Sequence, residues 1–273
     1  MCIRDRFIHS AGLRLAGLGH PAFLAGIAQT AVYAGLIALF RTGKRGDLAV
    51  LCANFLVLLL TGARAPLSYA LAVAGLSLLL VRSPAFPPRR RVLLVLATGS
   101  VLALAVLAVG LTGADISAVR AFNVLEIGVG NLSGRQILWP SFEQAAAQSP
   151  WLGWGVGAGN VIIPQGSEVV RLLHTWAAHN EYLRIAAEGG QIGRAVLVTI
   201  FVLWVRRHTA RLNHVDRIIM RLVFLAFAAH AVTDNLLIST PACVLFTFAA
   251  AIFARGEWEG AANRRLPELP AQA

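Results

Sequence analysis

A chain of 273 residues that is 57% hydrophobic and only 14% charged falls well short of the ~25% charged residues of a soluble domain. Its net charge of +11, from 24 Lys and Arg against 13 Asp and Glu, does not mark a nucleic-acid binder, because the basic residues cluster in short loops between apolar runs, the pattern of positive-inside membrane topology. Three cysteines, Cys2, Cys52 and Cys243, have no paired spacing and argue against a disulfide framework or a cysteine metal site.

Apolar runs near the ~20 residues needed to cross a bilayer recur along the chain, and in lipid they have to be helical because nothing there satisfies open backbone groups. The expected fold is therefore all-α: one polytopic membrane domain over residues 1–273, with about seven transmembrane helices. Met1 to His20 lacks the pattern of a cleaved signal peptide and reads as an extramembrane lead-in. The sequence is expected to begin partway through a longer protein.

The first span is expected from Pro21 to Phe40, followed by Arg41, Lys44 and Arg45. The second, Leu48 to Leu60, ends at the turn T-G-A-R-A-P, and the third, Leu67 to Val81, precedes the loop R-S-P-A-F-P-P-R-R-R. A fourth, Val92 to Leu111, leads into a long segment, residues 113–190, which is neither apolar enough to span nor basic enough for the cytoplasmic side. A fifth, Ile192 to Val205, ends in Arg206, Arg207, His208, Arg211 and Arg217; a sixth runs from Ile218 to Val232 and a seventh from Ala242 to Ala254, before a polar tail with Arg255, Arg264 and Arg265. Alternation places the arginine-rich loops on one side, cytoplasmic by the charge rule. Arg64, Arg135, His179 and Asp234 are then expected together on the face opposite the cytoplasm.

Arg64, in a turn away from the basic side, is either a cation snorkelling to the interface or an anion clamp, since its planar guanidinium fork suits phosphate oxygens. Arg135 lies in S-G-R-Q, which has capping-box spacing. A helix is expected to start near Gly134, bend near Pro140, and lay Leu138, Trp139, Phe142 and Ala145 on the membrane interface. An arginine in its first turn joins the anion-attracting helix N-terminus, or is simply polar surface. The run G-W-G-V-G-A-G-N, Gly153 to Asn160, has the wrong glycine gaps for a dinucleotide fingerprint and reads as a tight, close-packed turn or a flexible loop.

The segment's hinge is H-N-E-Y-L-R-I-A-A-E-G-G. His179 is expected to open a helix, with Tyr182 and Ala186 on its face, while Glu181, Arg184 and Glu188 have the spacing of an ion-pair ladder on a solvated face. A lone histidine is often structural, yet a neutral imidazole is well matched to proton abstraction near neutral pH. His174 lies five residues earlier, about 140° around a helix, so the two do not form an adjacent ligand pair. No H-E-x-x-H or cysteine cluster gives a metal site.

These blocks carry a resemblance. R-L-A-G-L-G-H-P-A-F-L-A (Arg14 to Ala25), T-G-A-R-A-P-L, S-G-R-Q-I-L-W, P-W-L-G-W-G-V-G-A-G-N and H-N-E-Y-L-R-I-A-A-E-G-G-Q-I-G, in this order, make the chain similar to the O-antigen ligase and polymerase superfamily of bacterial envelope glycosyltransferases. The resemblance implies a GT-C-like helical membrane protein in the inner membrane, usually with more spans than counted here. It also implies cofactor-free, metal-independent transfer of a glycan from an undecaprenyl-diphosphate carrier to an acceptor hydroxyl, on lipid A core, another glycan repeat or a protein. By motif match His179 is the family's essential histidine, and Arg64 and Arg135 are the arginines that hold diphosphate. Asn180, Tyr182, His174 and Asp234 are further candidates for holding substrate. A transporter of lipid-linked glycans would use the same arginines without breaking a bond. Such a protein places its site at mid-membrane between two halves, whereas these candidates gather at one face.

Overall fold

Proline and glycine set the boundaries of the helices. In the computed structural model, which describes residues 15, 21–96, 99–100, 137–173 and 175–265, α1 (Pro21–Thr42) opens on Pro21, tolerated there because the first helical N–H has no intrahelical acceptor. It closes where Gly43, at φ 64°, turns left-handed and donates its N–H to Leu39 O, a common helix stop. α2 (Arg45–Leu60) ends in the Thr61–Gly62 turn, where the Thr61 hydroxyl donates to Leu58 O at 2.7 Å. α3 (Arg64–Leu80) follows and stops at extended Val81 before Pro84 and Pro87. Residues 88–96 are again helical.

After the residues outside the description come α4 (Trp139–Gln148), a 3₁₀ turn at Ala158–Asn160, and the short α5 (Glu168–Leu173). Three long helices complete the chain: α6 (Glu181–Ala210), α7 (His214–His230) and α8 (Thr240–Arg265). Among the described residues there is no β-strand. Two helices, α1 and α6, are long and apolar enough to cross a bilayer, and α3 is apolar but shorter.

Six of the expected apolar runs are helices: α1, α2, α3, α6, α7 and α8. Most of the fourth run, Val92 to Leu111, lies outside the described residues. The helix at the seventh run does not stop at Ala254 but continues to Arg265. Charge pairing sustains that extension, because Arg211 pairs with Glu257 and Arg41 with Glu259.

α1 is the centre of the bundle and packs against α2, α3, α7 and α8. Its Val32, Leu36, Ile37 and Phe40 are buried with Leu58 of α2, Val73 of α3 and Ile219, Met220 and Val223 of α7. An aromatic cluster, Trp204 on α6, Phe224 on α7 and Phe253 on α8, holds the last three helices together at ring separations of 5.3 to 6.2 Å. Outward, Leu71, Leu79, Ile200, Leu203 and Leu225 are exposed, a distribution suited to lipid rather than water.

The helix directions define two ends. At one, Arg41 near the end of α1 meets Asp216 at the start of α7 and Glu259 on α8, and Ser83 donates its hydroxyl hydrogen to Phe40 O. At the other, Gly26 approaches Pro241 so closely that a Cβ on the glycine would lie 2.3 Å from the proline. Tyr69 of α3 packs on His230 of α7 there at 5.0 Å, and the N–H of Glu181 donates to Ala231 O at 2.8 Å. The second end carries the candidate site.

Candidate active site

α6 is built to start hard against the end of α7. Asn180 caps it, its side chain accepting the Leu183 N–H at 3.2 Å, which satisfies one of the orphan donors of a first turn. His179 therefore does not open the helix, as the motif suggested, but stands before the cap at φ 46°. That left-handed conformation is uncommon for a side chain with a Cβ and persists where surrounding contacts impose it. Here they do: Ala178 O accepts the Trp139 indole N–H at 3.0 Å, and Glu181 is tied to Ala231.

The imidazole is held at both nitrogens. Nδ1 lies 3.0 Å from Asp234 Oδ1, and Nε2 lies 3.0 Å from Thr175 Oγ1. An ionised carboxylate only accepts, and Asp234 Oδ1 also accepts the Asn235 N–H at 2.9 Å. The hydrogen of the first contact is therefore on Nδ1, and in the neutral ring Nε2 bears the lone pair, which accepts from the threonine hydroxyl. This tautomer is the one a general base acting through Nε2 requires.

The other expected site residues divide clearly. Asp234 joins His179 directly. Asn180 is 8% exposed and engaged as the helix cap. Tyr182 donates its hydroxyl to Ala228 O at 2.9 Å and lines a groove of about 350 Å³ with Gln191, Arg194, Ala195 and Val198. Arg64 opens α3, little more than one turn upstream of Tyr69, whose side chain is hydrogen-bonded to Thr233, the residue before Asp234. Arg64 is thus at the same end of the bundle. It is half-buried, and nothing among the described residues hydrogen-bonds or ion-pairs with its guanidinium. Arg135 and His174 lie outside the described residues.

The region around the histidine is a packed subdomain. Leu138, Phe142, Ile163, Ala178 and Ala187 form its core. Leu138 and Phe142 are fully buried against α6 rather than laid on a membrane interface, and Pro140 sits in the first turn of α4 without a bend. A proline is compatible with a first turn, which needs no donor there.

The charged side chains of α6 are also inside. Glu181 is 2% and Glu188 7% exposed, so the ladder expected on a solvated face is a buried triad. Arg184 bonds Glu181 on one side and Glu188 Oε2 at 2.5 Å on the other. Its burial follows from the glycine loop, which covers it: Gly159 N–H donates to Glu188 Oε1, Gly155 N–H to Glu188 O and Trp154 N–H to Ala187 O. Gly153, Gly155 and Gly157 all adopt positive φ, and a Cβ on Gly153 would lie 2.4 Å from the Glu188 backbone. The loop is a tight clamp on α6, not a flexible strap.

The clamp meets α6 at its break. Gly190, at φ 62° and ψ −168°, interrupts the helix, freeing the N–H groups of Gln191 and Ile192 to reach Pro150 O and Trp151 O. Only glycine adopts that conformation readily. The apolar stretch beyond it is thereby separated from the first turns of α6 beside His179.

The family model for O-antigen ligase matches residues 30–198, well over half of the chain. The chain belongs to the O-antigen ligase family. This is a family of bacterial membrane proteins of glycosyltransferase type, which accounts for the exposed leucines as lipid-facing. The matched residues take in Arg64, the glycine clamp, Thr175, His179 and Tyr182, whereas Asp234 lies beyond them. Comparison with curated protein sequences gives no match. Thr175 carried no signal in the sequence: a threonine four residues before a histidine is unremarkable until the chain between them turns back, and His179's left-handed backbone provides that turn.

Proposed function

We propose that this O-antigen ligase family member transfers a glycan from an undecaprenyl-diphosphate carrier to an acceptor hydroxyl at the periplasmic face of the inner membrane, with His179 as general base. The observation that carries the proposal is the contact between His179 Nδ1 and Asp234 Oδ1 at 3.0 Å. It fixes the tautomer, leaves the lone pair on Nε2, and supplies a negative charge to stabilise the imidazolium that forms when the acceptor gives up its proton.

The leaving group is a diphosphate, whose developing charge needs cations. Arg64, half-buried at the same end of the bundle with its donors unengaged among the described residues, supports that role, and Arg135 is assigned it by motif. A guanidinium fork offers two parallel hydrogen bonds to phosphate oxygens and strengthens its hold as charge accumulates. The arginine-rich end that holds Arg41 and Arg255 is assigned to the cytoplasm by the charge rule, which leaves the His179 end outside.

His179→Ala is expected to abolish transfer of labelled lipid-linked glycan in membranes while carrier binding persists; normal turnover would reject the base assignment. Whether the acceptor is lipid A core or a growing glycan is read from the surface glycan of a deletion strain. Unligated long chains identify a ligase, and single repeat units identify a polymerase.

A further inference from the structure

We infer that the Thr175 hydroxyl holds the place of the acceptor hydroxyl on the base, and that an incoming acceptor displaces it. The inference rests on the reading of His179 as general base. A neutral imidazole has one lone pair, and with Nδ1 donating to Asp234 that lone pair is on Nε2. Thr175 Oγ1 occupies it at 3.0 Å. No second hydroxyl can use Nε2 until Thr175 leaves, so the position of its oxygen marks where the acceptor oxygen must stand.

Thr175 is suited to leave. It is half-buried in the non-helical stretch between α5 and His179. The far end of that stretch is anchored by the Trp139 indole on Ala178 O, so the side chain turns about its own χ1 without moving the histidine. Its remaining bond, accepting the Ala177 N–H at 3.3 Å, is long. The exchange is one aliphatic alcohol for another, which selects a sugar hydroxyl of the same donor strength.

The chemistry balances without the threonine. The acceptor O–H proton passes to His179 Nε2 while its oxygen bonds the anomeric carbon. The bond from that carbon to the carrier's phosphate oxygen breaks, and the diphosphate leaves with the electron pair. Thr175 keeps its proton throughout, which makes it a positioning residue for the resting base.

The test is ethoxycarbonylation of the full chain in detergent by diethyl pyrocarbonate, read at His179 by mass spectrometry. Losing one neutral hydrogen bond is worth roughly 2- to 10-fold in the availability of the lone pair, so Thr175→Val is expected to modify that much faster than wild type and Thr175→Ser at the wild-type rate. His230, buried against Tyr69, stays slow in each if the fold is intact. Equal His179 rates in all three proteins would overturn the inference.

In transfer from an undecaprenyl-diphosphate glycan to lipid A core, Thr175→Val is expected to lower the acceptor KM by a similar factor and leave kcat unchanged. A fall in kcat instead would make Thr175 a proton relay and overturn the placeholder role. Active His179→Gln would reject the underlying base reading, whatever Thr175 does.

Discussion

His179 and Asp234 are 55 residues apart in sequence and 3.0 Å apart in space. One precedes α6 and the other follows α7, so the pair forms only when the two antiparallel helices have packed and the Glu181 N–H has found Ala231 O. The aromatic contacts of Trp204 with Phe224 and Phe253 secure that packing well away from the site. A candidate site drawn from two loops is in this way positioned by rigid helices.

Asp234→Asn keeps the size of the side chain and an oxygen able to accept from Nδ1, but removes the charge facing the imidazolium. Transfer is expected to fall by about 10²- to 10⁴-fold, the usual range for a disabled acid–base pair. Thermal unfolding in detergent should shift little, because Asp234 is 37% exposed and not a core group. Wild-type kinetics in this variant would remove Asp234 from the mechanism.

Arg64→Lys retains a cation and loses the planar fork. If the side chain holds diphosphate through two parallel bonds, losing one charge-assisted bond is expected to slow transfer about 10- to 100-fold. A snorkelling interface cation would tolerate lysine with no kinetic change, so steady-state transfer rates in the two proteins separate the readings.

Gly190→Ala tests the break in α6. A Cβ there would lie 2.2 Å from Trp151 O, on a backbone at φ 62° and ψ −168°. Straightening the helix instead would withdraw the Gln191 and Ile192 N–H groups from Pro150 O and Trp151 O. The expected cost is at least about 2 kcal/mol, seen as a lowered unfolding temperature in detergent and faster proteolysis between Trp151 and Gly159.

What could be read from the sequence followed periodicity and punctuation. Apolar run length gave α1 and the apolar stretch of α6, and Pro21 marks a helix start that needs no tertiary information. The H-N-E-Y block pointed to His179 but misplaced it by two residues, because a histidine before an asparagine cap is indistinguishable by spacing from one inside the first turn. Burial was the harder quantity. Glu181, Arg184 and Glu188 have the spacing of a solvated ladder, and only the glycine loop folding over Glu188 turns them into a buried triad. Phe142 and Leu138 likewise fit an interfacial helix until the first turns of α6 are present to cover them. The Thr175 contact was illegible for a different reason: it depends on a single positive φ at His179.

The charged cluster at the opposite end provides a final prediction about stability without activity. Asp216 is fully buried and accepts from Arg41 Nη1 at 3.1 Å, Arg255 Nη2 at 2.6 Å and the Asn213 amide at 3.0 Å. Its cations are partly exposed, at 28% and 36%, so the carboxylate bears most of the desolvation. Removing both arginines would strand it, and a stranded buried charge costs about 3–5 kcal/mol; the retained Asn213 donor places Arg41→Ala/Arg255→Ala near the lower end. Adding Asp216→Asn removes the stranded charge and is expected to restore part of the loss, measurable as a partial recovery of the unfolding temperature in detergent. No recovery would mean that the arginine stems act through packing alone. Because this cluster joins α1, α7 and α8 at the end away from His179, kcat of the folded protein is expected to stay at the wild-type value in both variants.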